Sequence, residues 1–282
     1  MAGQDLQFIA NLTNRGFAGA ANDGFRATRS KYVLLLNPDA TLLPPADLAP
    51  MVHACETYGL ASGLLVNDQG KPQYGFFARS LPTPASLAFE ALGINRLWPA
   101  NPANRRYRCL DLRPDLEAFV EQPPGAFLMI RRDVWEALNG LDESFYPVWF
   151  EDADFCRRAL DHGYKIRFVP SCTARHQGGH SVLRVDESDR GVFWYGSLLR
   201  YSAKHFLTLG FWMVCFAVAV GSVGRTVVGC LVVGFRSDSK PGACRKIVRM
   251  YTRIIRLASA ALVSGKVPDS SHRQQEVSAV EQ

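Results

Sequence analysis

A carboxylate that follows an apolar run is the most chemically suggestive feature of this chain. Residues 32–39 read Tyr-Val-Leu-Leu-Leu-Asn-Pro-Asp, so the apolar run ends in Asn37, Pro38 and Asp39. The run predicts a strand, Tyr32–Leu36, buried on both faces as in a parallel sheet. Pro38 has no backbone N–H to donate and must end that strand. Asp39 would then lie at the carboxyl end of a buried strand, where open α/β sheets bind ligands. The alternative is an ordinary strand that ends in a Pro-Asp turn.

Acidic residues also open a predicted helix, Phe150–Gly163, which begins with Glu151, Asp152 and Asp154. A carboxylate near the amino end of a helix, close to a substrate hydroxyl, can act as a general base. The alternative is an ordinary helix start, because the helix dipole favours negative charge there. Arg158, further along the helix, is expected to pair with a neighbouring acid.

The elements around these residues alternate between strands and helices. In chain order, the patterns predict a strand tail at Gln7–Ala10, a helix at Ala18–Arg29, the strand Tyr32–Leu36, a helix at Ala46–Tyr58, a strand at Gly125–Ile130, a short helix at Asp133–Leu138, the helix Phe150–Gly163 and a strand at Ile166–Val169. This order is typical of βαβ units, so we expect an α/β fold with a mixed, mostly parallel sheet flanked by helices. Residues Ser62–Pro124 lose the periodicity and predict a variable segment that borders a binding cleft.

Composition bounds the class of protein. With 282 residues, of which 48% are hydrophobic, the chain can bury one large core and a small appendage. The net charge is +6, but the basic residues are concentrated between Arg225 and Lys266, where Asp238 is the only acid. Such a block predicts an anionic partner, either a membrane surface or a nucleic acid. No nucleic-acid-binding motif accompanies it, so we expect a membrane surface and no nucleic acid.

The cysteines predict a reducing compartment. The seven cysteines include no C-x-x-C pair, and several lie in apolar runs, where a reduced Cys behaves as a small hydrophobe. We therefore expect no structural zinc. Met1–Asp5 contains neither the basic nor the apolar region of a signal peptide.

Four blocks of residues, in order, resemble glycosyltransferase family 2, which has the GT-A fold, and among its members the rhamnosyltransferase-like enzymes. The blocks are Asn14–Phe17 with Asn22 and Gly24, Leu36–Asp39, Gly125–Phe127 leading to Gly140–Glu143, and Glu151–Arg158 with Gly163–Tyr164, followed by the glycine-rich loop His176–Ser181. Together they span roughly residues 11–181. One such block would be a weak signal, whereas four in the expected order are specific.

The resemblance implies an inverting, metal-dependent glycosyltransferase. It would move a sugar, such as rhamnose or another hexose, from a nucleotide-diphosphate donor to a lipid-linked or polysaccharide acceptor in cell-envelope glycan synthesis. Asp39 and His176 are the implied ligands of Mg²⁺ or Mn²⁺, which neutralises the departing diphosphate. For His176, an imidazole that simply bonds to the backbone is the alternative. Asp152 is the implied catalytic base, and Glu151 would bind acceptor hydroxyls. The implied donor-side positions are Asn14, Gly16, Asn22 and Asn37.

Two departures from the family pattern matter. The strand–helix–strand unit that usually precedes these blocks and grips the nucleotide is missing from the sequence, so the GT-A domain is expected to be N-terminally incomplete. Asn37 also stands where the metal-binding motif commonly has a first aspartate. A non-catalytic, membrane-associated remnant that does not bind the donor is therefore the alternative function.

The carboxy-terminal third predicts membrane association. Phe206–Gly224 is an uncharged run of roughly membrane-spanning length, but basic residues flank both ends. This favours a peripheral or re-entrant hairpin on the cytoplasmic side, with Arg225 near its turn. Ala243–Val263 predicts an amphipathic helix that either lies on anionic lipid or packs on the catalytic domain with its basic face solvated. The predicted regions are a partial catalytic domain at 1–195, a membrane-associating helical region at 196–268 and a disordered polar tail at 269–282.

Overall fold

The computed structural model describes residues 6–178, 186–235 and 241–267. The predicted tail at 269–282 and the end of the loop His176–Ser181 lie outside these ranges. The helices are α1 (Gly16–Ala27), α2 (Ala49–Tyr58), α3 (Pro84–Leu92), α4 (Ile94–Leu97), α5 (Pro102–Tyr107), α6 (Arg132–Ala137), α7 (Glu151–Asp161), α8 (Glu187–His205), α9 (Thr208–Phe235) and α10 (Ala243–Ser264). The strands are β1 (Tyr32–Leu36), β2 (Ala40–Leu42), β3 (Gly59–Val66), β4 (Ala118–Val120), β5 (Phe127–Arg131) and β6 (Lys165–His176).

The strands form one mixed sheet in the order β1-β5-β3-β6-β2, and β4 also pairs with β6. The α/β class with a mixed sheet is therefore confirmed. The expectation of mostly parallel strands is wrong, because in the described residues only the β3–β6 ladder is parallel and the other ladders are antiparallel. An unbroken apolar run indicates only that both faces of a strand are covered, and that is equally possible in an antiparallel ladder.

Strand β1 has its predicted bounds but lies at the edge of the sheet. Its residues are only half-buried, and Leu36 is 38% exposed. Among the described residues β1 pairs with β5 alone. The predicted strand tail at Gln7–Ala10 is not a strand, and these residues are exposed. The expectation that β1 is buried on both faces is therefore wrong for this edge position.

The segment Ser62–Pro124 is more ordered than its composition indicates. It contains most of β3, three helices and β4. Helix α3 begins with a capping box, in which Thr83 and Ser86 exchange hydrogen bonds, and Pro84 occupies its first turn. These capping residues mark the helix where hydrophobic periodicity does not. The segment is a structured part of the molecule, which corrects the expectation of a variable connection.

Two apolar cores hold these elements together. The first surrounds the sheet and includes Phe25, which stacks on Trp135 with 3.5 Å between the ring centroids. The second joins α3, α8, α9 and α10 to the start of α7. The predicted boundary between residues 195 and 196 falls inside α8, which belongs to the second core. The division into domains stays a prediction.

Helix α9 runs without a break over 28 residues, so the predicted hairpin with a turn near Arg225 is wrong. The Arg225 guanidinium donates hydrogen bonds to the backbone carbonyls of Glu90 and Ala91 at the end of α3. Carbonyls in the last turn of a helix lack partners within that helix. The Arg225 side chain therefore caps the carboxyl end of α3, while α9 continues as a helix through this residue.

Helix α10 packs its apolar side on the protein rather than presenting it to lipid. Ile254 and Ala258 are fully buried in the core that α10 shares with α8 and α9. This matches the second predicted alternative, a helix packed on the domain with its basic face outward.

Cys230 and Cys244 form a disulfide that links α9 to α10, so the interpretation of all cysteines as reduced is wrong for this pair.

Gly63 yields a test of the sheet. It lies where the β3–β6 ladder shifts register, and a Cβ at this position would clash with the Phe127 ring and the Cys172 carbonyl oxygen. We expect Gly63→Ala to lower the free energy of unfolding by about 1–3 kcal/mol, as overpacking does, in urea denaturation followed by circular dichroism. Gly196→Ala, in α8 with no atom within 4 Å of the added Cβ, is the matched control. It should be neutral or stabilising by up to ~1 kcal/mol. Equal losses in both variants would contradict this account.

Candidate active site

A cleft of about 480 Å³ opens where β1 and β6 end and α7 begins. Predicted site residues that line it are Asn37, Glu151, Asp152 and His176. The predicted ligand Asp39 lies directly beside His176. The sheet thus brings together residues that are far apart in the sequence, because β2, which begins at Ala40, pairs with the end of β6.

His176 is a buried residue at the end of β6, not part of a flexible loop as expected. Its Nε2 atom lies 3.4 Å from Asp39 Oδ1, and its Nδ1 atom lies 3.3 Å from Gln73 Oε1. The ring also stacks on Phe76. Burial lowers the pKa of His176, and the Asp39 carboxylate only partly opposes this shift. The imidazole is therefore neutral at pH 7, the form that binds metal ions.

Asp39 and His176 fit a divalent cation that is shared with a phosphate. They offer a carboxylate oxygen and an imidazole nitrogen, and Mg²⁺ and Mn²⁺ commonly complete such a shell with substrate phosphates and water. Among the residues that the structure describes, no cluster of three or more His, Cys, Asp or Glu side chains could hold a metal ion. These two ligands are thus suited to an open metal site, rather than to a site that protein ligands alone complete.

The backbone before α7 is left-handed at two successive residues, Trp149 (φ +79°) and Phe150 (φ +69°). Aromatic residues rarely adopt this conformation, and it persists only when the surroundings enforce it. Phe150 is held by ring contacts with Trp194 and Tyr201 of α8. The sharp turn starts α7 at Glu151 and brings its first acidic residues to the cleft.

Asp152 is a half-buried carboxylate held by two backbone donors. Its Oδ2 atom accepts a hydrogen bond of 3.2 Å from the Gly125 N–H, and Oδ1 accepts one of 2.7 Å from the Ala153 N–H. Burial raises the pKa of Asp152, while these N–H groups and the charge of Arg79 oppose the rise. A fixed carboxylate with a raised pKa is suited to take up a proton near neutral pH.

Glu151 differs from its neighbour because it is only 4% exposed. Its Oε2 atom has no hydrogen-bond partner in the part of the chain that the structure describes. Burial, with a smaller contribution from the charge of Asp152, raises the pKa of Glu151 well above its ordinary value. Burial therefore favours the protonated form of the side chain, and its Oε2 atom is available to a ligand in the cleft.

Asp154 has a structural role on the buried side of α7. Burial alone would raise the pKa of Asp154, but hydrogen bonds from His205 and Lys204 and the charge of Arg158 lower it. Arg158 pairs with Asp154 at 2.8 Å and also donates to the carbonyls of Leu138 and Gly140. The expectation that Arg158 pairs with a neighbouring acid is confirmed.

The predicted donor-side residues in and before α1 do not line this cleft. Asn22 is buried, and its amide bonds to both backbone groups of Leu141 and to the Glu143 carboxylate. Asn14 accepts a hydrogen bond from the Gly16 N–H. Gly16 has a φ of +66°, and a Cβ there would lie 2.7 Å from the Pro147 carbonyl oxygen. These residues position α1 against the turn before α7, and their donor role stays a prediction.

Several cleft residues were not predicted from the sequence. Arg79, Tyr107 and Gln122 line the cleft and come from the segment Ser62–Pro124. No motif marks them, because they meet through tertiary structure. The one available signal was the position of Gln122 three residues before Gly125, at the start of a recognised block.

Known proteins resemble this chain over part of its length. A sequence model described as glycosyl transferase family 2 matches residues 2–106. The low-salt glycan biosynthesis hexosyltransferase Agl10 of Haloferax volcanii is 27% identical over 190 residues, which are 65% of this chain and 56% of that protein. The pre-mycofactocin glycosyltransferase of Mycobacterium tuberculosis is 22% identical over 210 residues, which are 71% of this chain and 38% of that protein.

Among solved structures, GalNAc-T7 with UDP, GalNAc and Mn²⁺ matches 90% of this chain and 45% of its own, with 12% identity and a TM-score of 0.42. This level of similarity does not equate individual residues of the two proteins. The chain spans about half, or less, of the length of the curated relatives named above. The family match over residues 2–106 and these relatives confirm the resemblance to glycosyl transferase family 2 that the motifs indicated.

The buried carboxyl of Glu151 makes stability depend on pH. Its raised pKa means that the folded protein binds this proton more tightly than the unfolded chain does. The resulting stability is fully present below the ordinary pKa of 4.5 and is lost as the pH rises through the folded-state pKa. We expect Glu151→Gln to flatten this decline and to exceed the wild type in free energy of unfolding at about pH 8, measured by urea denaturation. Glu136→Gln, at an exposed position of α6, should retain the wild-type decline. An unchanged slope in Glu151→Gln would refute the assignment.

Proposed function

We propose that this protein is a glycosyltransferase that moves a sugar from a nucleotide-diphosphate donor to an acceptor hydroxyl, with inversion at the anomeric carbon. The observation that carries the proposal is the position of Asp152 in the cleft where Asn37 and His176 also lie. A proton acceptor and a cation-binding pair in one cleft are the two aids that this transfer requires. The match of residues 2–106 to glycosyl transferase family 2 supports the same activity.

Asp152 is the catalytic base of the proposed reaction. The acceptor oxygen bonds to the anomeric carbon as the bond from that carbon to the diphosphate oxygen breaks, and the hydroxyl proton passes to Asp152. Burial favours the protonated form of Glu151, which is suited to exchange hydrogen bonds with acceptor hydroxyls rather than to act as a nucleophile. A single displacement of this kind inverts the anomeric configuration.

Asp39 and His176 would hold Mg²⁺ or Mn²⁺, which neutralises the departing diphosphate when bound. Asn37 lies 3.5 Å from the His176 ring nitrogen, in position to contact the same diphosphate. The neutral state of His176 supports this role, because a protonated imidazole could not bind a cation.

The proposed sugar is rhamnose or another hexose, and the proposed acceptor is lipid-linked or a polysaccharide in cell-envelope glycan synthesis. The printed name of the Haloferax relative describes a hexosyltransferase of glycan biosynthesis, which supports this class. The alternative is a non-catalytic remnant without donor binding. It is favoured by the edge position of β1, whose outer side has no strand among the described residues.

We also place the protein on the cytoplasmic side of the cell membrane, with α9 in contact with lipid. Helix α9 is the one described helix long and apolar enough to cross a membrane. One side of it packs on α3, α8 and α10. Large apolar residues are exposed on the other side, including Leu209, Trp212 and Phe216. Because one side of α9 packs on its own domain along its length, we favour peripheral insertion of the other side into the membrane surface.

Substitution of two carboxylates separates the proposed chemistry from the alternative. We expect Asp152→Asn to lower sugar transfer at least about 100-fold while donor binding is retained, because only the base is lost. Asp39→Asn should instead weaken Mn²⁺-dependent binding of the nucleotide-diphosphate sugar. Transfer of a radiolabelled donor panel and calorimetric donor binding measure the two effects, with Asp68→Asn in an exposed turn as control. Full transfer by Asp152→Asn would refute the base, and no donor binding by the wild type would favour the remnant.

Flotation with vesicles tests the membrane contact. We expect the full chain to float with vesicles that contain anionic phospholipid, and the double variant Trp212→Ser/Phe216→Ser to lose most of this binding, because α9 would no longer bury its apolar side. Leu116→Ser, at a similarly exposed position away from α9, is the control. Binding to DNA instead of vesicles, or equal flotation of all three proteins, would argue against the proposed contact.

A further inference from the structure

Arg79 and Gln122 face each other across an isolated antiparallel bridge. The backbone N–H of each donates to the carbonyl of the other, and both hydrogen bonds are 2.9 Å long. Side chains of directly opposed residues in an antiparallel pair point to the same face. Both side chains line the cleft, so the bridge fixes a cation and an amide beside each other in it.

Each side chain keeps a group that no described residue pairs with. Gln122 is 5% exposed, and among the described residues its Oε1 atom has no hydrogen-bond partner. Arg79 donates from Nε to the Gly75 carbonyl at 2.6 Å, and its guanidinium lies 5.8 Å from the Tyr107 ring centroid. Among the described residues, no carboxylate lies within ion-pair distance of Arg79. The buried Gln122 acceptor without a donor indicates a missing ligand, and the half-buried Arg79 beside it is a cation whose charge no described acid pairs with.

This pair lies close to the proposed base. The positive charge of Arg79 acts on Asp152, and the unpaired Oε2 atom of Glu151 belongs to the same cleft. The cleft therefore presents a guanidinium and two oxygens that can bond to hydroxyls, around a carboxylate suited to remove a proton. A molecule that meets all of these groups carries an anionic group and hydroxyls.

We propose that Arg79 and Gln122 form an acceptor subsite that binds an anionic oxygen group, a phosphate or a carboxylate, next to the hydroxyl that attacks. Arg79 binds the anion and Gln122 accepts a hydrogen bond from a neighbouring hydroxyl. This subsite rests on the proposed glycosyl transfer and specifies the acceptor class for the same cleft.

The acceptor fits this subsite better than the donor does. The donor diphosphate has its own cation site at Asp39 and His176, whereas Arg79 acts on Asp152, which faces the acceptor. Leu87 and Glu90 of α3 line the same cleft, and α3 packs along α9. A phosphate of an acceptor anchored in lipid would approach from that side, and an acidic sugar of a polysaccharide could occupy the same subsite from solution.

Binding of matched charged and neutral probes to the full chain tests the subsite. The probes are dodecyl phosphate against dodecanol in nonionic micelles, and methyl glucuronoside against methyl glucoside, followed by tryptophan fluorescence, since Trp149 and Trp194 line the cleft. We expect at least one charged probe to bind more tightly than its neutral partner. Arg79→Gln should weaken that binding about tenfold or more, because charge-assisted hydrogen bonds are lost. Arg79→Lys should fall between, and Arg96→Gln, at an exposed position of α4, should match the wild type.

The outcomes are distinct. Preference for dodecyl phosphate identifies a lipid phosphate, and preference for the glucuronoside identifies an acidic sugar; either supports the subsite if Arg79→Gln removes it. Equal binding of charged and neutral probes, or no effect of Arg79→Gln in a protein with wild-type circular dichroism, overturns it. Loss of nucleotide-diphosphate binding in Arg79→Gln with probe binding retained would assign Arg79 to the donor and also overturn it. These results would leave the dependence of sugar transfer on Asp152 unaffected. The proposed function would instead be refuted if Asp152→Asn transferred sugar as well as the wild type does.

Discussion

The left-handed turn at Trp149 and Phe150 is the constraint on which the cleft depends. A left-handed conformation costs roughly 1–2 kcal/mol per residue. Burying a phenylalanine side chain gains about 1.5–3 kcal/mol, so the contacts of Phe150 with α8 can offset the turn only because they are nearly complete. The helical core therefore maintains a backbone geometry that serves the sheet. Without that core, α7 would not begin where the two strands end, and Asp152 would not lie in the cleft.

The first turns of α7 also divide its acids by environment. Asp154 is fully buried, yet Arg158, Lys204 and His205 compensate its charge, so it anchors the helix as an ion. Glu151 is nearly as buried but has no cation at ion-pair distance among the described residues, so burial raises its pKa well above the ordinary value and favours the neutral acid. Asp152 lies between these extremes, with two N–H donors and partial exposure. One short acidic sequence thus yields a structural ion, a carboxyl whose protonated form is favoured and a partly exposed carboxylate, because partners rather than residue type set each pKa.

Sequence patterns predicted local elements better than their arrangement. The bounds of β1 and the acidic start of α7 follow from residue order, and the motifs pointed to Asp39, Asp152 and His176, which lie in or beside one cleft. Whether neighbouring strands are parallel or antiparallel could not be predicted, because an apolar run indicates that a strand is buried and not the direction of the strand beside it. Whether the apolar side of α10 contacts lipid or protein could not be predicted either, since an apolar stripe fits both equally well. Arg79 and Gln122 were missed because a single bridge between distant residues leaves no periodic signal.

The two cores meet at α3, and this ties the cleft to the apolar helix. Arg225 of α9 binds the carbonyls that end α3, while Leu87 and Glu90 of the same helix line the cleft. The half-buried Arg225 guanidinium is held by both carbonyls, and moving it would remove this donor from the Ala91 carbonyl, so the contact resists displacement. Helix α9 is therefore fixed relative to the acceptor side of the cleft. If α9 lies in the membrane surface, as proposed, the cleft is held at a constant distance from that surface through α3.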